Sequence, residues 1–393
     1  MICFVLWREF RLSIAELKAY FPDSECLFAE REVAIFDKID REEVKAGFVK
    51  LGWTVKAFEI LKEIDSEKEF NKHAIDFISA KAWKYEWKFT FALAQYWTQK
   101  DLFTYGIQIK KEARKTTETN IRFVNKNSSN INAAVFKKEL WADWSELNLL
   151  WVWERFFIWE TIAYQDVDEY SKRDYSKERD MQVWMLPPKL AQMMINISWK
   201  ETKWIYDPFC GLWTILIESI LWEKKEIYWS DLNEDMVKAS SKNIALYLDK
   251  SITFQVFKQD AGKIEGVGFL KDKSRIAIVT EWYLGSIMTR WHVTEDKILE
   301  ERRKLARIYD WFFYWLQRLN FKWKIVISFP FWQFKWKYLY FEEIYSILKK
   351  YGFAPLKLLP DESEYKETKT WSLLYHRPNQ QVWREIFCLQ SSK

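Results

Sequence analysis

Glycine is scarce in this chain, with 9 residues in 393 against 25 tryptophans. At the usual abundance of about 7%, a chain this long carries roughly 27 glycines, so about 18 are missing. Four cysteines, Cys3, Cys26, Cys210 and Cys388, lie far apart with no CxxC pair. That spacing argues against a zinc knuckle or a disulfide framework and suits a reducing cytoplasm. Three histidines argue against a His-based metal site, and no metal is expected. No stretch approaches 18 uncharged apolar residues, and the N-terminal run MICFVLWREF is broken at once by Arg8 and Glu9. Neither a signal peptide nor a membrane span is therefore expected.

What is present is a 49% hydrophobic chain long enough for two or three domains with substantial cores. Its net charge of +5 is mild, but the placement is uneven. Between Ile107 and Trp141 stand eight basic residues, Lys110, Lys111, Arg114, Lys115, Arg122, Lys126, Lys137 and Lys138, against three glutamates. That local surplus equals the surplus of the whole chain and makes Lys110, Lys111, Arg114 and Lys115 candidates for phosphate contacts, a solvated helix face being the plainer alternative.

Along the chain, REFRLSIAELKAYF (8–21) has helical spacing with Ser13 as a possible cap, and EVAIFDK (32–38) reads as a strand. LNLLWVWERFFIWETIAYQ (147–165) reads as a β-hairpin with Trp153-Glu154-Arg155 at its turn, where glycine is the expected residue. Residues 166–183 are densely polar and read as a linker or a loop folded over a site. Beyond them strands and helices alternate through KWIYD, TILIESIL, EIYWS, NEDMVKASSKNIALYL, ITFQVF, IAIVT, a long helix over 295–318, KIVISF and FEEIYSILKKY. The chain closes on a strand pair joined by RPNQQ. This pattern predicts a mainly parallel sheet covered on both faces, with an antiparallel edge. The aromatic run WFFYWLQRL (311–319) reads as buried core at helical spacing.

In an open α/β sheet, ligands sit at the carboxyl ends of the strands. Four segments fall there. Asp207-Pro208-Phe209-Cys210-Gly211-Leu212-Trp213-Thr214 follows the first strand, with Trp213 where such a turn needs glycine. Asp231, 24 residues beyond Asp207, has the spacing of a carboxylate that meets a ribose diol. Asp260-Ala261 follows the third strand, and Thr280-Glu281-Trp282-Tyr283-Leu284-Gly285 the fourth.

These motifs resemble the class I S-adenosylmethionine-dependent methyltransferases, whose amino-methylating branch carries D-P-F-C-G-x-G-T. The order of segments is similar to tRNA guanine-N2 methyltransferases of the Trm-eleven type, which join an N-terminal RNA-binding THUMP region to this catalytic domain. LGWTVKAFEIL (51–61), YSKRDY (170–175), MLPPKLAQMMINI (185–197) and LLYHRPNQQVWREIF (373–387) carry the likeness upstream and downstream. The resemblance implies an α/β protein: a Rossmann-like seven-stranded, mostly parallel sheet with an antiparallel edge pair, preceded by an α+β THUMP-type region. It divides the chain into a THUMP-like region at 1–165, a polar linker at 166–183 and a methyltransferase domain at 184–393. It implies a cytoplasmic enzyme with S-adenosyl-L-methionine as cofactor and RNA, foremost tRNA, as partner. Asp207, Pro208, Phe209, Cys210, Gly211, Thr214, Asp231, Asp260 and Ala261 are its cofactor-binding candidates. Glu281, Tyr283 and Thr280 are its catalytic candidates, Tyr283 to stack on the base and Glu281 or Thr280 to accept from the target amine. The family's usual (D/N)-P-P-(Y/F) is here T-E-W-Y, a departure that leaves a ribosomal RNA guanine, a DNA adenine N6 or a non-catalytic RNA-binding role open.

Tryptophan also replaces the family's glycine elsewhere: LGWT (51–54) resembles LGGT, WSDLN (229–233) resembles GSDLN, and QVWREIF (381–387) resembles KVGREIF. With the glycine deficit, this pattern implies a gene in which UGA means glycine and has been read as tryptophan.

Overall fold

The computed structural model describes all residues except 128, 167, 171–185, 199, 210–213, 223–225, 245–252, 268–269, 271–274, 282–283, 285–293, 377–379 and 393. The chain divides into two compact units. The first holds residues 1–7, 23–49 and 54–172; the second holds 8–22, 50–53 and 173–393.

The first unit is α+β. Its strands are β1 (Ile2–Leu6), β2 (Glu25–Glu30), β3 (Val33–Asp37), β4 (Thr54–Ile64), β5 (Lys88–Tyr96), β6 (Asn120–Phe123), β7 (Glu146–Val152) and β8 (Arg155–Tyr164). They form one sheet in the order β2-β3-β1-β4-β8-β7-β5-β6, in which β5 runs parallel to β6 and β7. Its helices are α2 (Arg41–Gly47), α3 (Glu67–Ala82), α4 (Leu102–Ala113) and α5 (Ala133–Glu139), while α1 (Phe10–Tyr20) belongs to the second unit. Helices α3 and α4 bury Phe70, Ala74, Ile78 and Ile109 against Phe89, Phe91 and Leu147 of the sheet. Within the sheet, buried Lys56 donates to Glu146 Oε2 at 2.7 Å and to Asn148 Oδ1 at 2.9 Å. The pairing offsets the several kcal/mol that burying either charge alone would cost.

The second unit continues with α6 (Pro188–Ile197), β9 (Trp204–Asp207), α7 (Thr214–Leu221), β10 (Glu226–Asp231), α8 (Glu234–Ile244), β11 (Thr253–Lys258), β12 (Ile276–Glu281) and α9 (Glu295–Arg318). Then come β13 (Ile325–Phe334), β14 (Lys337–Leu339), α10 (Glu343–Tyr351), β15 (Phe353–Pro355), β16 (Leu373–Tyr375) and β17 (Val382–Ser391). The sheet order is β11-β10-β9-β12-β13-β17-β15, with β14 and β16 as short additions to β13 and β17. Strands β9 to β13 are mutually parallel, and β17 runs antiparallel to both its neighbours. This is the class I methyltransferase fold. The antiparallel edge that the sequence suggests is present: β17 runs antiparallel between β13 and the border strand β15, and its residues from Arg384 to Leu389 are buried.

Local signals explain the elements. Thr294 Oγ1 caps α9 by accepting from Lys297 N at 3.3 Å, and Glu295 and Asp296 in the first turn complement the helix dipole. Along α9, Ile298, Leu305, Tyr309, Phe312, Phe313 and Leu316 face the core, each such burial stabilising by about 1.5–3 kcal/mol. Ser13 is not a cap; it lies buried inside α1, whose N-cap is Glu9. Helix α1 joins the second unit through Glu16, whose carboxylate accepts from Gly52 N at 2.9 and 3.1 Å and from Asn196 Nδ2 at 2.5 Å. A Cβ at Gly52 would meet the Lys189 carbonyl oxygen at 2.5 Å, so this position requires glycine.

The tryptophans behave as a class apart. Among the described residues eleven non-glycine residues have positive φ, and four of them are Trp97, Trp144, Trp153 and Trp371, with φ between 46° and 58°. Random placement of 25 tryptophans in 393 residues would put fewer than one there. Trp153 (φ 52°) and Glu154 (φ 61°) are the two turn residues of the β7–β8 hairpin, whose geometry demands positive φ at both. Five buried indole N–H groups, of Trp97, Trp159, Trp229, Trp315 and Trp332, have no hydrogen-bond partner among the described residues, although buried tryptophans ordinarily find one. At the other extreme Trp336 is 96% exposed and Trp87 84%. Trp53 and Trp383 differ: Trp53 stacks on Tyr375 and Trp383 on His376. The left-handed positions carry a measurable consequence. Trp371→Gly and Trp153→Gly are each expected to raise the unfolding free energy by about 1 kcal/mol, whereas Trp204→Gly, on β9 and packed against the core, lowers it; urea unfolding of the three variants checks this.

Candidate functional site

Register in the parallel half of the second sheet aligns the ends of four neighbouring strands. Asp207 ends β9 opposite Trp229 of β10, Asp231 ends β10 opposite Lys258, and Glu281 ends β12 opposite Ser328 of β13. Asp260 follows β11 by two residues. The carboxyl ends of β11, β10, β9 and β12 thus carry Asp260, Asp231, Asp207 and Glu281 in spatial order along one border of the sheet.

Asp207 is the buried centre of this row, 2% exposed. Its Oδ1 accepts from the Thr280 hydroxyl at 2.6 Å and from Phe209 N at 3.0 Å. Burial pushes its carboxyl up to about 7, those two hydrogen bonds pull it down, and the negative charges of Asp231 and Glu281 raise it further. Thr280, fully buried, is committed to Asp207. Among the described residues that leaves Glu281, whose side chain is 10% exposed, as the side-chain acceptor on this segment with solvent access. Pro208 and Thr214 are buried and flank the turn, whose residues Cys210, Gly211 and Trp213 lie outside the described residues, as does Tyr283.

Asp231 and Asp260 each organise the turn that follows them. Asp231 Oδ1 accepts from Asn233 N at 2.9 Å. Asp260 Oδ1 accepts from Gly262 N at 2.8 Å and caps the short helix Ala261–Gly266, with Ala261 buried behind it. Its second oxygen takes no hydrogen bond among the described residues, and Asp260 borders a cleft of about 410 Å³ lined also by Lys263, Arg307, Ile308, Trp311 and Trp315. The arrangement offers acceptors to a ligand that is itself rich in donors and positive charge.

Sequence reasoning passed over Arg384. This residue of β17 is 1% exposed, and its Nε donates to Glu281 Oε1. The signal for it in the sequence is the Arg384-Glu385 pair in VWREIF, two ionic residues within an apolar strand. The basic candidates Lys110, Lys111, Arg114 and Lys115 lie at the C-terminal end of α4 in the first unit, the last three exposed. Lys115 is paired with Glu112 at 2.8 Å and Arg114 donates to Asn120, while Lys137 and Arg122 of the same run are neutralised by Asp166, Asp168 and Glu139. The free positive charge is therefore smaller than the residue count suggests.

Residues 178–282 match the family described as UPF0020, RMKL-like, methyltransferase domain. That places a methyltransferase domain on the part of the chain holding Asp207, Asp231, Asp260 and Glu281. No match was found among curated proteins. Among solved structures, the chain is similar to TrmN from Thermus thermophilus at 13% identity and a TM-score of 0.48, covering 99% of each chain. It is similar also to a possible methylase from Clostridium difficile 630 at 13% identity and a TM-score of 0.45, covering 100% of this chain and 98% of the other.

The raised Asp207 carboxyl has a defined effect on stability. Because its folded value lies above its ordinary 3.8, the folded state holds the proton more tightly, and that stabilisation is lost as pH rises through about 7. Relative to Asp207→Asn, the wild type is expected to lose about 3 kcal/mol of unfolding free energy between pH 5 and pH 8. Urea unfolding of both proteins across that range measures it.

Proposed function

We propose that this protein transfers a methyl group from S-adenosyl-L-methionine to the N2 of a guanosine in tRNA. The observation that carries the reading is the row of four strand-end carboxylates, centred on a buried Asp207, inside the segment that matches a methyltransferase domain. S-adenosylmethionine, when bound, supplies an electrophilic methyl group on a sulfonium. The residues suit that group: a cationic methionine end favours a carboxylate that burial makes costly to ionise alone, and Asp260 has an oxygen with no partner among the described residues for the adenine amine. Asp231 takes the ribose diol, and the 207–214 turn takes the methionine end, with Pro208, Phe209, Cys210, Gly211 and Thr214 shaping it.

Methyl transfer of this kind is an in-line displacement, so the protein's work is positioning and exclusion of water. Glu281 accepts from the target amine and draws electron density from the ring back onto N2. Tyr283 stacks on the base. Thr280 acts one step back, by fixing Asp207. The α+β first unit, with residues 1–165 as its sequence-read extent, is the THUMP-type RNA-binding part, and Lys110, Lys111, Arg114 and Lys115 on α4 contribute phosphate contacts. The polar stretch 166–183 links it to the methyltransferase domain at 184–393. The enzyme works in the cytoplasm.

The same reading holds that the natural chain has glycine at the left-handed tryptophans and at Trp213. An indole at 213 crowds the approach of the methionine end, whereas glycine admits it. Peptide mass spectrometry of the protein from its own cells is expected to find glycine at 97, 144, 153, 213 and 371; tryptophan at these positions overturns the recoding. Incubating the glycine-restored chain with methyl-labelled S-adenosylmethionine and total tRNA is expected to yield labelled N2-methylguanosine on nucleoside analysis. Label in N6-methyladenosine, or none at all, defeats the assignment.

A further inference from the structure

Arg384 is the largest buried cation of the second unit, and one of its nitrogens is unaccounted for. Its Nε donates to Glu281 Oε1, its guanidinium carbon sits 5.7 Å from the centroid of the Tyr375 ring, and its Nη2 is buried without a hydrogen-bond partner among the described residues. The register explains how the pair forms. Glu281 on β12 is opposite Ser328 on β13, and Ser328 is opposite Ile386 on β17, so Arg384, two residues from Ile386, projects from the same face as Glu281. Ser328 Oγ, between them, is likewise buried and unpartnered. A buried guanidinium donor left open costs about 1–3 kcal/mol unless something fills it.

We propose that Arg384 holds Glu281 in place, and that the pair together reads the Watson–Crick edge of guanine. The inference rests on the reading of the site given under the proposed function and names its specificity device. A carboxylate beside a guanidinium presents, in order, one donor and two acceptors. The Watson–Crick edge of guanine presents the complement: the O6 acceptor, then the N1–H and N2–H donors. Adenine offers an N6–H donor beside an N1 acceptor, and cytosine an N4–H donor beside N3 and O2 acceptors. Either one sets an acceptor against the Glu281 carboxylate, and the unmatched buried group then costs binding.

The experiment uses the full chain and the variants Arg384→Lys, Arg384→Gln and Glu281→Gln, with two readouts. The first is kcat/KM for methyl transfer to tRNA. Arg384→Gln is expected to lose about 100-fold. Arg384→Lys recovers part of the rate, because a cation again reaches Glu281. An equal loss in both arginine variants means a structural role and overturns the proposal. The second readout is binding of a fluorescein-labelled single-stranded RNA with one guanosine among uridines, against the same RNA with inosine or adenosine there. The wild type is expected to favour guanosine over inosine by about 10-fold and over adenosine by more, and Glu281→Gln and Arg384→Gln to lose that order. Equal binding of the three RNAs sinks the proposal even if methylation occurs. A wild type that keeps the order without methylating sinks the enzyme reading and leaves the recognition device standing.

Discussion

The hydrogen bond from the Thr280 hydroxyl to Asp207 ties together the two strand ends on which the candidate site is built. It crosses from β12 to β9, the central pair of the second sheet, at the point where the strand order reverses direction. A fully buried carboxyl there would be costly if ionised and alone. Thr280 and Phe209 N offset part of that cost, and the rest appears as the high affinity of Asp207 for a proton. The strain is local and useful in kind: a group that prefers to be neutral when the site is bare prefers to be ionised when a cation lies against it. Asp231 and Glu281, which sharpen this preference by their own charge, occupy the two neighbouring strand ends. Asp207, Asp231 and Glu281 are therefore coupled electrostatically rather than three separate acceptors.

Backbone conformation supplies an independent constraint. Left-handed positions arise wherever a tight turn must reverse the chain, and they do not move to suit the residue that occupies them. At Trp153 the β7–β8 pairing sets the geometry, since Val152 and Arg155 face each other and leave only two residues for the turn. The side chain there contributes nothing the turn needs. Gly352, at φ 74°, shows the ordinary solution in the same chain: it ends α10 and donates its N–H to the Lys349 carbonyl. The indoles without partners at Trp159, Trp229 and Trp332 make a separate argument, because a core residue of that size normally has its N–H placed. Stacking of Trp53 on Tyr375 and of Trp383 on His376 does not follow this pattern, so the motif comparison and the conformational evidence fall partly on different residues.

Much of the second unit was legible in the sequence because its signals are short-range. Thr294 with Glu295 and Asp296 announces the start of α9, and the apolar alternation of IAIVT announces β12. The strand-end carboxylates could be read because each follows its strand directly. Hairpin β7–β8 was legible down to the demand for glycine at its turn. What stayed hidden is long-range. Nothing local reveals that Thr280 serves Asp207 rather than the open site, or that Glu16 in α1 clamps Gly52 and Asn196 and so draws residues 8–22 and 50–53 into the second unit. The placement of β17 inside the sheet is hidden for the same reason, since strand order is decided by packing between faces, not by the pattern along a strand.

The Glu281–Arg384 pair shows why this matters for function. Its members are 103 residues apart, and each alone looks ordinary: a carboxylate at a strand end and an arginine beside Glu385 within a strand. Only the insertion of β17 beside β13 brings them together, because an edge position would leave the guanidinium in solvent, where an ion pair is worth little. Inside the sheet the same pair is desolvated, and its order of donor and acceptor becomes fixed. The topological detail that the sequence pattern did not show is thus the one that turns a strand-end acid into a group with a defined partner preference.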